Sequence, residues 1–381
     1  MAARYQRARR SNNVRSGLRM SSTIALFERF PAARAIPHVA LGAFPTAVEH
    51  LPRAGAALGV PNLYIKRDDR SGPDYGGNKV RKLEFIFGDA LDKGYKDVLT
   101  MGAIGSHHVL ATSIYARKLG LNPAAQHFPQ PLSPHVLKNL RALATTSPEL
   151  SLIGHPAQLP FEVFKAKLDE WLSRRPQTYY ISAGGSSAAG AIGYVNAAFE
   201  LARQIEQGLM PEPDLLFVTT GTGGTFAGLV LGLKMAGLKT RVVGVRVVDR
   251  AVCNAPNMLR LARGAAALLR SYGLPDVPHL TAADIELLDG YFGDGYGIPT
   301  AAGQWCQEVF KREEGIDLEI TYTGKTVAAI AGERDRLGLK DKVVLYWHTL
   351  NSVDLTDRIA QADVATQLPA PYQGFFAEDM R

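Results

Sequence analysis

The sequence predicts an α/β protein made of two doubly wound domains, each a parallel sheet covered by helices. Three observations predict it. Short apolar strands alternate with helical stretches along the chain, the pattern of parallel sheets buried on both faces. Polar, glycine-rich loops follow the strands, at the carboxyl ends where such sheets bind ligands. A chain of 381 residues with 46% hydrophobic content is also better divided between two cores than packed into one.

Taken in order, residues 1–25 read as a flexible basic tail, and Phe30 to Leu51, punctuated by Pro31, Pro37 and Pro45, as an extended arm. Residues 62–67 form a strand leading into the loop 67–77, and a helix follows with Val80, Leu83, Phe85, Ile86 and Leu91 at helical spacing. Residues 97–101 are a strand, and Gly105-Ser106-His107-His108 opens a helix through Lys118. The unit repeats: strands at 123–128 and 150–154 are followed by helices near 134–145 and 161–174. A strand at 178–182 then leads to Gly184-Gly185-Ser186-Ser187 and a long helix over 188–207. Strand 214–220, loop 221–225 and a helix to 236 come next. Strand 240–247, helices near 256–272, 300–314 and 324–336, and strand 342–347 complete the chain. The boundary this pattern favours is a smaller inserted domain at 82–185, flanked by a larger domain from 26–81 and 186–381, with the active cleft between them.

The net charge of +7 is concentrated in the tail, where Arg4, Arg7, Arg9, Arg10, Arg15 and Arg19 precede the first acid, Glu28. The remainder is close to neutral, and a tail without interleaved aromatic residues is a poor nucleic-acid binder. It fits an unstructured extension, or a start at Met20, better than an arginine- and serine-rich targeting peptide, because no cleavage pattern accompanies it. No apolar run is long enough to cross a bilayer. Cys253 and Cys306 have neither metal nor redox spacing, which points to a reducing, cytoplasmic setting.

Two loops carry chemistry. Lys79 follows Gly76-Gly77-Asn78 at a loop-to-helix junction, where the positive helix end disfavours its ammonium form and leaves an amine able to attack an aldehyde. Gly221-Thr222-Gly223-Gly224-Thr225 lies between an apolar strand and an apolar helix, so its free amides and hydroxyls make an anion cradle. It lacks the lysine of a nucleotide-binding P-loop and the glycine spacing of a dinucleotide fold, so a single phosphate monoester fits it best. A phosphate cradle beside a reactive lysine points to pyridoxal phosphate.

Five ordered stretches then resemble the family of 1-aminocyclopropane-1-carboxylate deaminases and D-cysteine desulfhydrases. They are Gly76 to Glu84, Gly102 to His108, Ala183 to Ser187 with Gly193-Tyr194-Val195, Thr220 to Thr225, and Tyr322-Thr323-Gly324-Lys325. The likeness runs from about Leu26 to Thr349. It implies a fold-type II pyridoxal-phosphate enzyme, similar to the tryptophan synthase beta chain, that acts on a small amino acid as a homodimer. Lys79 is implied as the lysine that bonds the cofactor and as the base at the substrate α-carbon, with Lys82 one turn on as its nearest rival. The resemblance also implies Thr222, Gly223, Gly224 and Thr225 as the phosphate cup, with Asn78 and His107 beside the cofactor. Ser106 is implied as a substrate contact, a role compatible with capping its helix, and Tyr296 and Tyr322 as tyrosines lining the cofactor.

Thr323 separates the reaction types. The deaminase branch carries glutamate there, facing the pyridine nitrogen, whereas a hydroxyl cannot hold a proton on that nitrogen by charge. Threonine resembles the desulfhydrase branch, which implies α,β-elimination from D-cysteine or a related amino acid. Ring opening of the cyclopropane substrate is the alternative, and a pyridoxal-phosphate-binding protein without turnover is a third reading. Departures from the family pattern are His107 in place of asparagine, Leu110 in place of a polar residue, and Leu350-Asn351 in place of two glycines. At His107, an imidazole could donate to the cofactor's phenolic oxygen as asparagine does, with a charge that changes near neutral pH.

Overall fold

The computed structural model describes residues 24–154 and 178–376. The basic tail up to residue 23 and the helix expected near 161–174 lie outside the described residues. Among the described residues, ten strands form two sheets. A six-stranded sheet has the order β1, β2, β10, β7, β8, β9, from Val48–His50, Leu63–Lys66, Val344–Trp347, Leu215–Thr220, Arg241–Arg246 and Glu286–Leu288. A four-stranded sheet has the order β5, β4, β3, β6, from Glu149–Leu152, Asn122–Phe128, Asp97–Ala103 and Thr178–Tyr180. All pairings are parallel except β1 with β2, which is antiparallel. The sequence reading missed that antiparallel edge: helix α1 (Ala25–Arg29) precedes the expected arm, and the arm itself holds a 3₁₀ turn at Pro31–Ala35 and β1. Pro31 opens the 3₁₀ turn, because a residue at that position needs no N–H bond and its fixed φ suits the turn.

Burial on both faces of the larger sheet follows from strand alternation. Leu216 and Val218 of β7, with Leu345 and Trp347 of β10, join the core under α1, α6 (Ala188–Glu206), α7 (Gly224–Met235) and α8 (Ala255–Ser271). Their neighbours Leu215, Phe217, Val344 and Tyr346 face α2 (Pro52–Leu58), α9 (Ala301–Glu314) and α10 (Thr323–Gly332). The four-stranded sheet has its own core, shared with α3 (Lys79–Asp92), α4 (His107–Lys118) and α5 (Pro134–Ala144). Leu355, Leu368, Tyr372 and Phe376, from the end of the described chain, complete that core. The Tyr372 hydroxyl donates to Ser151 O (3.0 Å) and meets His127 Nδ1 (3.0 Å).

A buried polar cluster ties the two regions together behind α3. Arg81 reaches both oxygens of Asp68 (2.9 and 2.8 Å) and both of Glu200 (2.9 Å each). Lys66 donates to Glu200, Gln204 and the Thr46 carbonyl, each at 2.6 Å. Asp68 also accepts from Tyr194 (2.8 Å) and Trp347 (2.7 Å). Two cations and two carboxylates balance here, as a group of buried charges must. Burial pushes the Glu200 carboxyl up, but Arg81 and Lys66 outweigh it and hold the group at about 2. Gly193 explains how α6 approaches so closely, since a side-chain carbon there would collide with the Arg81 carbonyl.

Candidate active site

Lys79 is the first residue of α3, and the three residues before it are anchored through their backbone amides. Gly76 N–H donates to Asn351 Oδ1 (2.6 Å), Gly77 N–H to Asp68 O (2.8 Å), and Asn78 N–H to Thr349 O (3.1 Å). The Lys79 amine donates to Asn78 Oδ1 (2.6 Å) and lines a cavity of about 660 Å³ at the carboxyl ends of strands from both sheets. Burial lowers its pKa to about 8, against the opposing pull of Glu319. Lys82 lines the same cavity and donates to Gly184 O (3.0 Å). Burial and the nearby Lys79 charge hold its pKa well below the usual lysine range.

The glycine loop closes the far side. Gly223 has φ of +92°, a conformation that favours glycine, and α7 begins at the next residue. The first amides of a helix have no carbonyl of their own helix to bond. One of them, Gly224 N–H, donates to Ser186 Oγ (3.0 Å), which also meets Thr222 Oγ1 (2.7 Å). Asn78 Nδ2 donates to Thr225 Oγ1 (3.0 Å), which joins the lysine loop to the cradle. A side-chain carbon on Gly224 would lie 2.8 Å from Ser186 Oγ and 3.2 Å from Lys82 Nζ. The Lys82 amine therefore lies at the cradle, and the concavity exists because position 224 has no side chain.

This arrangement fits pyridoxal phosphate. Burial disfavours the charged forms of the two lysine amines that line this cavity, and a phosphate beside them would offset that cost. The cradle has helix-start amides and hydroxyls for that phosphate, and Lys79 is an amine for the aldehyde.

On the opposite wall, Ser106 caps α4 by accepting from Val109 N–H (3.3 Å), and its residue lines the cavity. His107 also lines it, but both of its ring nitrogens are engaged, Nδ1 with the Tyr75 hydroxyl and Nε2 with His135 Nε2 (2.8 Å). The expected donor to the phenolic oxygen is thus already used within the protein. The expected change of charge near neutral pH is also absent, because burial, His135 and Lys79 hold this imidazole well below its usual range. Leu110 lies in the core of the four-stranded sheet and does not line the cavity.

Near the start of α10, Tyr296 and Tyr322 meet through their hydroxyls. Lys325 donates to Phe292 O (2.6 Å) and Gly295 O (3.3 Å), which pins the loop carrying Tyr296. The Thr323 hydroxyl accepts from Glu319 N–H (2.8 Å). The Glu319 carboxylate accepts from the amides of Thr321 (2.7 Å), Tyr322 (2.6 Å) and Thr323 (2.9 Å). Its pKa is nonetheless raised, because burial outweighs those amides.

A family model described as "Pyridoxal-phosphate dependent enzyme" matches residues 39–349. The chain belongs to the pyridoxal-phosphate dependent enzyme family. Among its relatives, a D-cysteine desulfhydrase of Klebsiella pneumoniae (strain 342) is 35% identical over 328 residues, 82% of this chain and 93% of that one. A D-cysteine desulfhydrase of Salmonella newport (strain SL254) is 37% identical over 334 residues, with the same two coverages. The solved structure of an ACC deaminase homologue superposes with a TM-score of 0.74 at 29% identity, over 89% of this chain and 99% of that one. Threonine deaminase isoform 2 from Solanum lycopersicum shares the fold, with a TM-score of 0.55 at 16% identity over 89% and 88% of the two chains. The resemblance read from the five motifs, and the fold-type II architecture it implied, are borne out.

In this member of the pyridoxal-phosphate dependent enzyme family, the structure brings Asn78, Lys79, Ser106, His107, Thr222, Gly223, Thr225, Tyr296, Tyr322 and Thr323 around one cavity, with Gly224 at its cradle. Three further residues escaped the sequence reading. Lys82 was weighed only as a rival for Lys79, although its place one helical turn later is a signal that both face the same way. Ser186 lay within a quoted motif without a role. Glu319, just before the helix that Thr323 opens, has the position of a capping carboxylate.

Proposed function

We propose that the chain is a pyridoxal-phosphate-dependent lyase that carries out α,β-elimination on a small β-substituted amino acid, D-cysteine being the substrate named for its relatives. The observation that carries this reading is the buried Lys79 amine, with a pKa lowered to about 8, beside a phosphate cradle and the neutral Thr323. Bound here, the cofactor supplies an electron sink that makes the substrate α-proton acidic.

Thr222, Thr225, the amide of Gly223 and the Lys82 amine would hold its phosphate over Gly224, whose own N–H is taken by Ser186, and Asn78 would orient its phenolic edge. Lys79 Nζ takes the α-proton, since an amine with a pKa near 8 is both available and basic at neutral pH. Ser106 and the start of α4 receive the substrate carboxylate. Tyr296, paired with Tyr322 and held near 12 by burial, keeps its proton and can donate a hydrogen bond to the departing sulfur. Leu350 adds an apolar side chain to the wall.

The structural likeness to an ACC deaminase homologue favours ring opening of the cyclopropane amino acid as the second reading. Thr323 argues against it, because breaking an unactivated ring bond needs a deeper sink than expelling a thiol. The test is a side-by-side assay of the purified protein with D-cysteine, L-cysteine and the cyclopropane amino acid, following 2-oxo acid, ammonia and sulfide. Sulfide release at a higher rate than ring opening is expected. Faster ring opening would select the second reading, and no turnover on any of the three would select a protein that only binds the cofactor.

The smaller domain at 82–185 and the larger one from 26–81 and 186–381 are proposed as the frame of the cleft, with one amendment. Residues 355–376 are assigned to the smaller body, because four of their side chains fill its core. Two buried, unpaired thiols support a reducing, cytoplasmic location, and a homodimer is proposed from the family resemblance. Light scattering coupled to gel filtration checks the homodimer.

A further inference from the structure

His107 stands at the cavity wall with neither nitrogen open to the cavity, and its neighbours dictate where every proton lies. Asn139 Nδ2 donates to the carbonyl of Gly105 (2.9 Å), which fixes the orientation of that amide. The same NH₂ group lies 3.4 Å from His135 Nε2, so that nitrogen accepts and His135 carries its proton on Nδ1. His107 Nε2, 2.8 Å from the same atom, therefore donates. A neutral imidazole has one N–H, so His107 Nδ1 is bare, and the Tyr75 hydroxyl donates to it.

We propose that His107 is a positioning residue, the middle of a one-way chain of hydrogen bonds from Tyr75 to His107 to His135 that seats the Gly76–Lys79 loop against the helix carrying Ser106 and opens in acid. Tyr75 immediately precedes that loop. The anchors of Gly76, Gly77 and Asn78 are Asn351, Asp68 and Thr349, which lie beside strands β10 and β2 of the six-stranded sheet. Tyr75 is held from α4 instead, through His107 and through Tyr115, whose hydroxyl donates to the Tyr75 carbonyl (2.6 Å). Without His107, Tyr75 loses one of its two hydrogen-bonding side chains on the helix that faces the substrate.

Acid sensitivity follows from the directions of the bonds. A proton added to His135 Nε2 would oppose two donors, His107 and Asn139, and one added to His107 Nδ1 would turn the Tyr75 hydroxyl into an acceptor and take away the acceptor of its own proton. His107 faces Lys79, His135 and Tyr75, and His135 also faces Lys138. Tyr75 faces Tyr115, which feels Asp74 and Glu84. The nearby cations and the burial resist the extra proton, so the chain is intact at neutral pH and opens only below the ordinary histidine range.

The inference rests on placing the cofactor at Lys79, and its first test is independent of that placement. In apo protein labelled with ¹⁵N-histidine at about pH 7.5, His107 is expected as the neutral Nε2–H tautomer and His135 as Nδ1–H. Finding the proton of His107 on Nδ1, or finding either ring charged, overturns the chain. The second test measures pyridoxal phosphate affinity in two variants. His135→Leu removes the acceptor and should weaken binding about tenfold, the size expected for one lost hydrogen bond. His135→Gln keeps an acceptor that cannot titrate, so it should recover most of that loss and lose less affinity than wild type on acidification to about pH 5. Equal affinity of the two variants, or the same acid response in His135→Gln and wild type, overturns the proposal. If His135→Leu does not fold, the tautomer measurement on wild-type protein still decides it.

Discussion

Lys79 and Lys82 are one helical turn apart, both are buried in one cavity, and they are assigned different work because they meet different partners. Lys79 meets Asn78 and feels Glu319, whereas Lys82 lies at Gly224 and Ser186. The apo protein should therefore capture pyridoxal phosphate faster as pH rises through about 8, where Lys79 loses its proton. Stopped-flow absorbance checks the profile, and borohydride reduction followed by peptide mapping should place the label on residue 79. A label on residue 82 would reverse the assignment. Lys82→Met should leave the label in place but weaken cofactor affinity about tenfold to about a hundredfold, the range for losing a charge-assisted bond to phosphate. Thr323→Glu brings a carboxylate to the position that separates the two branches, and it should slow sulfide release relative to other reactions at the α-carbon. An unchanged product ratio would remove Thr323 from the argument.

Among the elements, α3 is the one whose placement matters most to the site, and the buried cluster behind it decides that placement. Arg81→Met leaves Asp68 and Glu200 short of a partner and should destabilise the fold by about 3–5 kcal/mol, read by chemical denaturation. Glu200 adds a pH dependence whose sign is fixed: its folded pKa is depressed to about 2 from an ordinary value of 4.5. Its contribution is complete above the ordinary value and is lost as pH falls from there toward 2. Long buried elements were legible in the sequence, and β7 and α6 lie within a residue or so of where periodicity put them, because each is buried over most of its length. The edge strands β1 and β9 were not, since each has three residues and little or no full burial to leave a pattern. The same division holds in the site. Lys79 is announced by the glycines beside it, whereas the place of Lys82 depends on Gly184 and Gly224, more than a hundred positions away. Such a contact leaves no mark on local spacing.

In the molecule as a whole, the chain passes between its two sheets more often than an insertion of one domain into another requires. It leaves the six-stranded sheet through α3, returns through α6, and after β10 crosses again to finish against the four-stranded one. Tyr372→Phe, which removes the hydroxyl bonded to Ser151 and His127, should cost about 1 kcal/mol and raise amide exchange in β4 and β5 more than in β7. Uniform loss of protection across both sheets would refute that locality. For anyone hoping to treat the smaller body as a transplantable module, this last crossing sets the terms: a fragment cut at residues 82 and 185 would leave part of its own interior behind on the donor, and the side of α5 that packs against residues 356–360 and 364–367 would meet water.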